Sequence, residues 1–414
     1  GVYSANAAIR PVISIKGDNI WKNGDGSAEH PYEIKDFTSL KDKVLSDNPK
    51  VETRSDFSTV YTTTNTGKIY KSTENETTVY YFAGNAQNNW VKFGTWNENV
   101  TFIIGRNEDK NGHRIFESIE ACKADTTFNF DCEKVEIAKK GDPMYWRIIR
   151  TNSEGSVRLL YAGTSVYSTS SYVDFSAFNE TNEATLTLGY MYGTSGSLEN
   201  NRANTTDSAI KSKLETWYAN NMTSYTKYLS TSAVYCNDRS APAYSNVNRF
   251  FNSSAYRNYL NNKPNYNCGT DENGEYLEKS LEDRFSVNNS KAKLKYPVGL
   301  VTGDELVFAG AKYNTSSALT YYYCNAKENC SENSTDISYS STGTMWWWTM
   351  TPFYYDGNKK SRIYHVGGLS APGYMGSCNT EEPLGIRPVI SIKENAMYKS
   401  GNGSSESPYE IVLN

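Results

Sequence analysis

The octapeptide IRPVISIK stands twice in this 414-residue chain, at residues 9–16 and again at 386–393. Extended without gaps, IRPVISIKGDNIWKNGDGSAEHPYEI (9–34) aligns with IRPVISIKENAMYKSGNGSSESPYEI (386–411) at a constant offset of 377 residues, and 17 of the 26 positions are identical. Self-similarity at a long fixed period is the mark of an array. The reading that follows is one complete unit preceded by the end of another. Residues 1–37 become the tail strand and Gly-rich turn of a preceding repeat, 394–414 a linker or the start of the next, and the chain a piece of something longer. Ile386, Val389, Ile390 and Ile392 are expected to form the last strand of the complete unit, while Ile9, Val12, Ile13 and Ile15 closed the one before it. The first copy is then expected to be loosely packed or paired with a neighbour, because an exposed apolar edge invites pairing.

Local patterns between the copies predict the elements. In SLKDKVLS (39–46), Leu40, Val44 and Leu45 fall at helical spacing. Residues 51–80 are rich in Thr and Ser and read as loop or edge strand. TVYYFAGNAQNNWVKFG (78–94) alternates around an Asn-rich centre and predicts a hairpin. Residues 95–143, with Cys122 and Cys132, read as an elaboration on the core. MYWRIIRTNSEGSVRLLYAG (144–163) predicts a second hairpin, with Gly155 able to take the positive φ of a tight reversal. A helix is expected from Thr206 or Asp207, presenting Ile210, Leu214 and Trp217 on one face, and another within 253–262. In YPVGLVTGDELVFAG (296–310) a strand leads to a helix, with Thr302 and Glu305 forming a capping box and Gly310 ending it. MWWWTMTPFYY, SRIYHVGG and GIRPVISIK complete a strand-rich end. Strands with a few segregated helices define an α+β class on an antiparallel sheet, divided into a β-rich part over 38–143 and a core over 144–393.

Composition narrows the function. Tyr at 33 residues argues against disorder, and a net charge of −4 without basic runs argues against nucleic acid as a partner. No apolar run approaches the roughly 20 residues that span a bilayer. Cysteines at 122, 132, 236, 268, 324, 330 and 378 include no Cys-x-x-Cys pair, so metal binding is unsupported and no cofactor is expected. Their order suggests the disulfides Cys122–Cys132, Cys236–Cys268 and Cys324–Cys330, leaving Cys378 odd. Such bonds place the protein in an oxidising compartment.

The segments YWRII, SVRLLYAG, SKLETWY, YCNDRS, YPVGLVTGDELVFAG, WWWTMTP and GIRPVISI, in this order, resemble a module of unknown function found in tandem in large surface proteins of Gram-positive bacteria. The C-terminal half is similar to the C-type-lectin-like fold, shared with formylglycine-generating enzymes and phage receptor-binding proteins. The resemblance spans about 79–393, with 95–143 as a departure. It implies a C-type-lectin-like core with two or three short helices and long loops, and an extracellular location. Calcium-dependent sugar binding is not implied: the nearest match to the required motifs, WNEN at 96–99, lies in the wrong region. One fold hosts many activities, so the site must be argued from its residues.

Catalytic signals are weak. Cys378 and His365 lack any motif around them, His30 faces Ser407 in the other repeat copy, and NGDGSAEHPY lacks the Lys-Ser/Thr of a phosphate loop. Asp304 and Glu305 serve the helix cap. The aromatic run is the ligand-binding candidate: Trp346, Trp347, Trp348, Tyr354 and Tyr355, with Asp356. Alternation along a strand sends Trp347 opposite to Trp346 and Trp348, so one face packs in the core and the other is left as a platform for sugar rings or a protein. Two functions remain in view. The first is an extracellular tandem-repeat fibre or stalk with adhesive capacity, its partners neighbouring copies of the repeat and host glycans or proteins. The second is an enzyme on the formylglycine-generating scaffold working through Cys324 and Cys330, or a phage receptor-binding protein on the same fold.

Overall fold

The computed structural model describes residues 12, 21–34, 38–61, 66–107, 113–126, 130–168, 171–180, 189–194, 198–239, 245–246, 249–251, 253–271, 275, 280–315, 346–356, 361–366 and 375–413. Among these, two larger sheets share a core. The first is built on the hairpin of Pro143–Thr151 and Val157–Gly163, which Gly155 closes at φ 91° as expected. The two strands are buried almost without interruption because both their faces are covered. Val389–Ile392 adds to one side of this hairpin, and Thr77–Ala83, Lys68–Glu74 and Val51–Thr53 follow on the other. The second sheet centres on Trp347–Asp356, flanked by Ser361–Val366 with Met375–Asn379, by Arg249–Phe251, and by Leu384–Ile386 with Asp174–Ser176. Nearly all pairings are antiparallel and the helices are few and short, which is the α+β class.

Three expectations are corrected in register. The segment 78–94 is not a hairpin: Thr77–Ala83 and Trp90–Thr95 lie one after the other along the same strand, with Tyr81 opposite Arg150 and Trp90 opposite Arg147. Asn89, fully buried, holds the join by exchanging bonds with Ile148, accepting from its N–H at 2.8 Å and donating to its carbonyl at 3.0 Å. A real hairpin lies just before it, Lys68–Glu74 with Thr77–Ala83, reversed by Asn75 and Glu76 at φ 48° and 63°. This two-residue turn was hidden in a Thr/Ser-rich stretch because its outer face is polar. The stretch before the 303–309 helix makes only a bridge, Gly299 to Val389, and no strand.

Helices follow their local signals closely. Leu40–Asp47 is capped by the Ser39 hydroxyl, which accepts from Asp42 N–H. Ala209–Asn221 buries Ile210, Leu214 and Trp217, but its cap is Ser208 and not Thr206 or Asp207, which pair with Met191–Tyr192 instead. Gly303–Ala309 carries the full Thr302/Glu305 capping box and stops at Gly310. Ser253–Ala255 continues as a π-wound turn over Tyr256–Asn261. The elaboration at 95–143 is a separate three-stranded sheet of Val100–Asn107, His113–Phe116 and Phe130–Ala138, tied to the helix Ile119–Ala124 by the Cys122–Cys132 disulfide.

Between the first sheet and the helix Ala209–Asn221, aromatic rings fill the core. Trp96 donates its indole N–H to the Tyr161 hydroxyl at 3.0 Å, and Trp146 donates to the Phe93 carbonyl at 2.7 Å. These two indoles are satisfied as well as buried, which is what large amphipathic rings require of an interior. Trp217 completes the group, edge-on to Trp96 at 6.2 Å.

Candidate functional site

The second copy of the repeat is a closing segment, and its seat is built from widely separated elements. IRPVISIK does not form one strand, as its sequence led us to expect. Ile386 ends Leu384–Ile386 in the second sheet, while Val389–Ile392 belongs to the first. Between them Pro388, which has no N–H for a ladder, gives its carbonyl to Tyr161 N–H, and the buried Arg387 donates from Nε and Nη2 to the Tyr161 carbonyl at 3.2 and 2.9 Å. The octapeptide therefore stitches the two sheets together. Val389–Ile392 is paired on both sides: it runs antiparallel to Val157–Leu160, and Val389 exchanges both backbone bonds with Gly299.

Beyond it, Tyr398–Ser400 and Glu410–Ile411 form a small hairpin that folds back on the unit. Tyr398 N–H donates to the Thr38 carbonyl, Leu40 N–H to Ala396, and Trp90 N–H to Gly403. Tyr409 exchanges backbone bonds with Trp90 and Lys92 and is fully buried. At Gly401, φ is 95° and a Cβ would lie 1.9 Å from the Pro408 carbonyl oxygen, so only glycine allows the turn.

The first copy folds into the same hairpin. Trp21 pairs with Ile34 and Asn23 with Glu33, as Tyr398 pairs with Ile411 and Ser400 with Glu410, with the same irregularity between the two pairs. Turn bonds match position by position: Asp25 and Gly26 donate to the His30 carbonyl, and Asn402 and Gly403 to that of Ser407. Ser27 N–H donates to Asp25 Oδ1 as Ser404 N–H does to Asn402 Oδ1. Surroundings distinguish them. Tyr32 is 67% exposed where Tyr409 is 0%, and Val12 is 93% exposed where Val389 is 0%. The rest of the first octapeptide lies outside the described residues.

A polar cavity of about 700 Å³ opens between the helix Ala209–Asn221 and the strand Asp174–Ser176. Ser212, Lys213 and Thr216 supply its helix side, and Asn179, Tyr192 and Asp207 face them. Lys213 Nζ lies 3.4 Å from Asp174, and Lys211 holds Asp207 at 2.9 Å. Hydroxyls, carboxylates and an aromatic ring around one open cleft suit a neutral polyhydroxyl ligand, whose hydroxyls need acceptors and whose apolar ring face needs an aromatic partner.

The tryptophan run is mostly interior. Trp347 and Trp348 are fully buried, so these two do not form a platform. Both sides of the strand are covered, Trp347 lying beneath the Arg387 guanidinium at 4.9 Å and Trp348 edge-on to Phe178 at 5.6 Å. Trp348 donates to the Ser176 carbonyl at 2.9 Å, bracing the cavity wall from behind. Trp346, half-buried, stacks on His365 at 4.5 Å. Tyr354, Tyr355 and Asp356 continue the strand opposite Phe251, Phe250 and Arg249; their side chains lie outside the described residues.

Two of the three expected disulfides are formed, Cys122–Cys132 and Cys236–Cys268. Cys324 and Cys330 lie outside the described residues. Cys378 is a buried free thiol on the strand next to His365, and burial, aided by Glu382, pushes it up to about 12 against the pull of Arg362. A thiol held protonated is a poor nucleophile.

Asp304 and Glu305 do more than cap. Glu305 Oε1 accepts from Arg150 Nε at 2.9 Å and lies 2.7 Å from Arg158 Nε, while Oε2 accepts the Thr302 N–H. Arg257 bridges Asp304 and Asp238. These buried ion groups join regions of the chain that sequence order keeps far apart, and no local pattern announces them. No group of three or more His, Cys, Asp or Glu placed to hold a metal occurs among the described residues. Compared with protein-family models, with curated proteins and with solved structures, the chain matches none.

Proposed function

We propose that this chain is an extracellular module of a tandem-repeat surface protein, a structural fibre or stalk with adhesive capacity toward glycans or proteins. The observation that carries this reading is the pair of hairpins 377 residues apart in one register, one docked and one exposed. A closing element that occurs once at the end of a unit and once before it is what serial units would produce. Two disulfides fit an oxidising, extracellular setting, and no helix among the described residues is long and apolar enough to cross a membrane. We read residues 144–393 as a C-type-lectin-like core; supporting this, the last strand of the unit returns beside its first long hairpin, with the loops carried between them.

The adhesive ligand is placed in the polar cavity beside Tyr192 and Asp207. A glycan array probed with the chain, with Tyr192→Ala and with Asp207→Ala tests it. Binding by the parent that falls at least tenfold in both variants supports the site. Undiminished binding in the variants moves the ligand elsewhere, and silence across the array removes glycan adhesion.

A further inference from the structure

We propose that residues 9–34 dock on a second copy of this chain, filling the seat that residues 386–411 occupy within each unit. The seat recognises its occupant mainly through features that both copies share. Val389, Ile390 and Ile392 are each fully buried, and Val12, Ile13 and Ile15 are the same residues in the first copy. Gly403 passes so close to the Asn88 carbonyl that a Cβ would lie 2.4 Å from it, and Gly26 keeps that position open. Tyr409 enters the seat backbone-first between Trp90 and Lys92 and ends with its hydroxyl on Asp47. Tyr32 is the equivalent residue, already held on a hairpin of the same register. The substitutions between the copies, among them Gly17 for Glu394, Asn19 for Ala396, Trp21 for Tyr398 and His30 for Ser407, leave these residues untouched.

Because residues 21–34 already form the hairpin, docking that part costs little ordering entropy beyond that of bringing two molecules together. Within one chain the covalently attached second copy wins by its high effective concentration. The first copy therefore acts only where a seat has been vacated. Since donor and seat are different surfaces, each docking event leaves one of each free, and association is head-to-tail, ending in a closed ring or running on as a filament. This inference rests on the relation between the copies and needs neither the cavity nor a glycan. A failed array experiment leaves it standing, and its own failure leaves adhesion standing.

The test frees the part of the seat held by the 398–411 hairpin, in the full-length chain, by Tyr409→Ala and measures mass by light scattering across a concentration series. The expected result is at least a doubling of mass as concentration rises, absent in the parent, in Tyr32→Ala and in the double variant Tyr32→Ala/Tyr409→Ala. Gly403→Ala, which sets a Cβ 2.4 Å from the Asn88 carbonyl oxygen, loosens the same hairpin by another route, gives association with the same dependence on Tyr32 and covers the case in which Tyr409→Ala fails to fold. A folded Tyr409→Ala or Gly403→Ala chain that stays monomeric throughout overturns the proposal, as does association that survives Tyr32→Ala.

Discussion

The Tyr409 hydroxyl donates to Asp47 Oδ2 at 2.8 Å, joining residues 362 positions apart at the foot of the first helix. Burial drives the Tyr409 phenol far above its ordinary range, and the neighbouring Asp47 carboxylate adds to it, so the hydroxyl is a donor at any working pH. Tyr409→Phe keeps the ring and removes this one bond. The expected loss is about 1.5–3 kcal/mol, as for a hydrogen bond to a charged group. Denaturant midpoints measure it, and amide exchange at Trp90 and Lys92 should quicken in the same variant.

The glycine pair offers an internal control. Gly401→Ala sets a Cβ against the Pro408 carbonyl and Gly24→Ala does the same at Pro31, both at positive φ. Only the second hairpin is docked on the core. Gly401→Ala is expected to destabilise the unit by about 2 kcal/mol or more, in the range of strained backbone, and Gly24→Ala to leave the unfolding midpoint nearly unchanged.

Glu305 is the centre of the buried charges beneath the hairpin of 143–163. Glu305→Gln keeps volume and cap but leaves Arg150 and Arg158 short of a countercharge, and a loss of about 3–5 kcal/mol is expected from thermal or urea unfolding. The cost for Glu305→Leu should be larger, since the Thr302 N–H then loses its acceptor as well.

Acid should weaken the same region through Glu74. Burial alone would raise its carboxyl, but Arg150, with a bond from Ser153 N–H, overrides burial and holds it below the ordinary glutamate value of 4.5. The unfolded chain thus takes up this proton first as pH falls. The stability that Glu74 contributes is full above about pH 4.5 and is lost as pH drops through the lower folded value. Urea titrations of the parent and Glu74→Gln should differ most at neutral pH and converge in acid.

The disulfides are expected to differ in reach. Cys236–Cys268 closes 32 residues and its removal should cost roughly 3.5–4 kcal/mol from chain entropy, against roughly 2.5–3 for Cys122–Cys132, which closes 10. The second loss should be confined to exchange rates in the three-stranded sheet. Cys378, pushed up to about 12 by burial, should resist iodoacetamide at pH 8 until the chain is unfolded, as mass spectrometry of the unreduced protein would report.

What could be read from the sequence was local. Thr302 and Glu305 cap a helix three residues apart, Ile210, Leu214 and Trp217 share one helical face, and Cys236 and Cys268 pair in chain order, because each signal needs only its neighbours. The position of Glu305 between Arg150 and Arg158 could not be read, since 155 residues separate Glu305 from Arg150. Burial of both Trp347 and Trp348 was equally hidden. Alternation says that two residues face opposite ways, but only the tertiary packing says that both sides are covered. The repeat was the one long-range feature legible in the chain. It pointed to 386–393 as a last strand, but gave no sign that Pro388 would divide that segment between two sheets or that 394–411, read as a linker or the start of the next repeat, would fold back on the unit.

Thr38 and Tyr398 lie side by side, and Met397 accepts from Val412 on its other side, so the chain enters and leaves the unit within about 10 Å, two strand spacings. Tension applied to these points does not run through the stacked aromatic core. It falls first on the backbone bonds of the 38–40, 396–398 and 411–412 contacts, and next on those that Trp90 and Lys92 make with Gly403 and Tyr409. Were the chain loaded at these two points, the closing hairpin would peel before the two sheets, lengthening the chain as a fuse yields ahead of the circuit it guards.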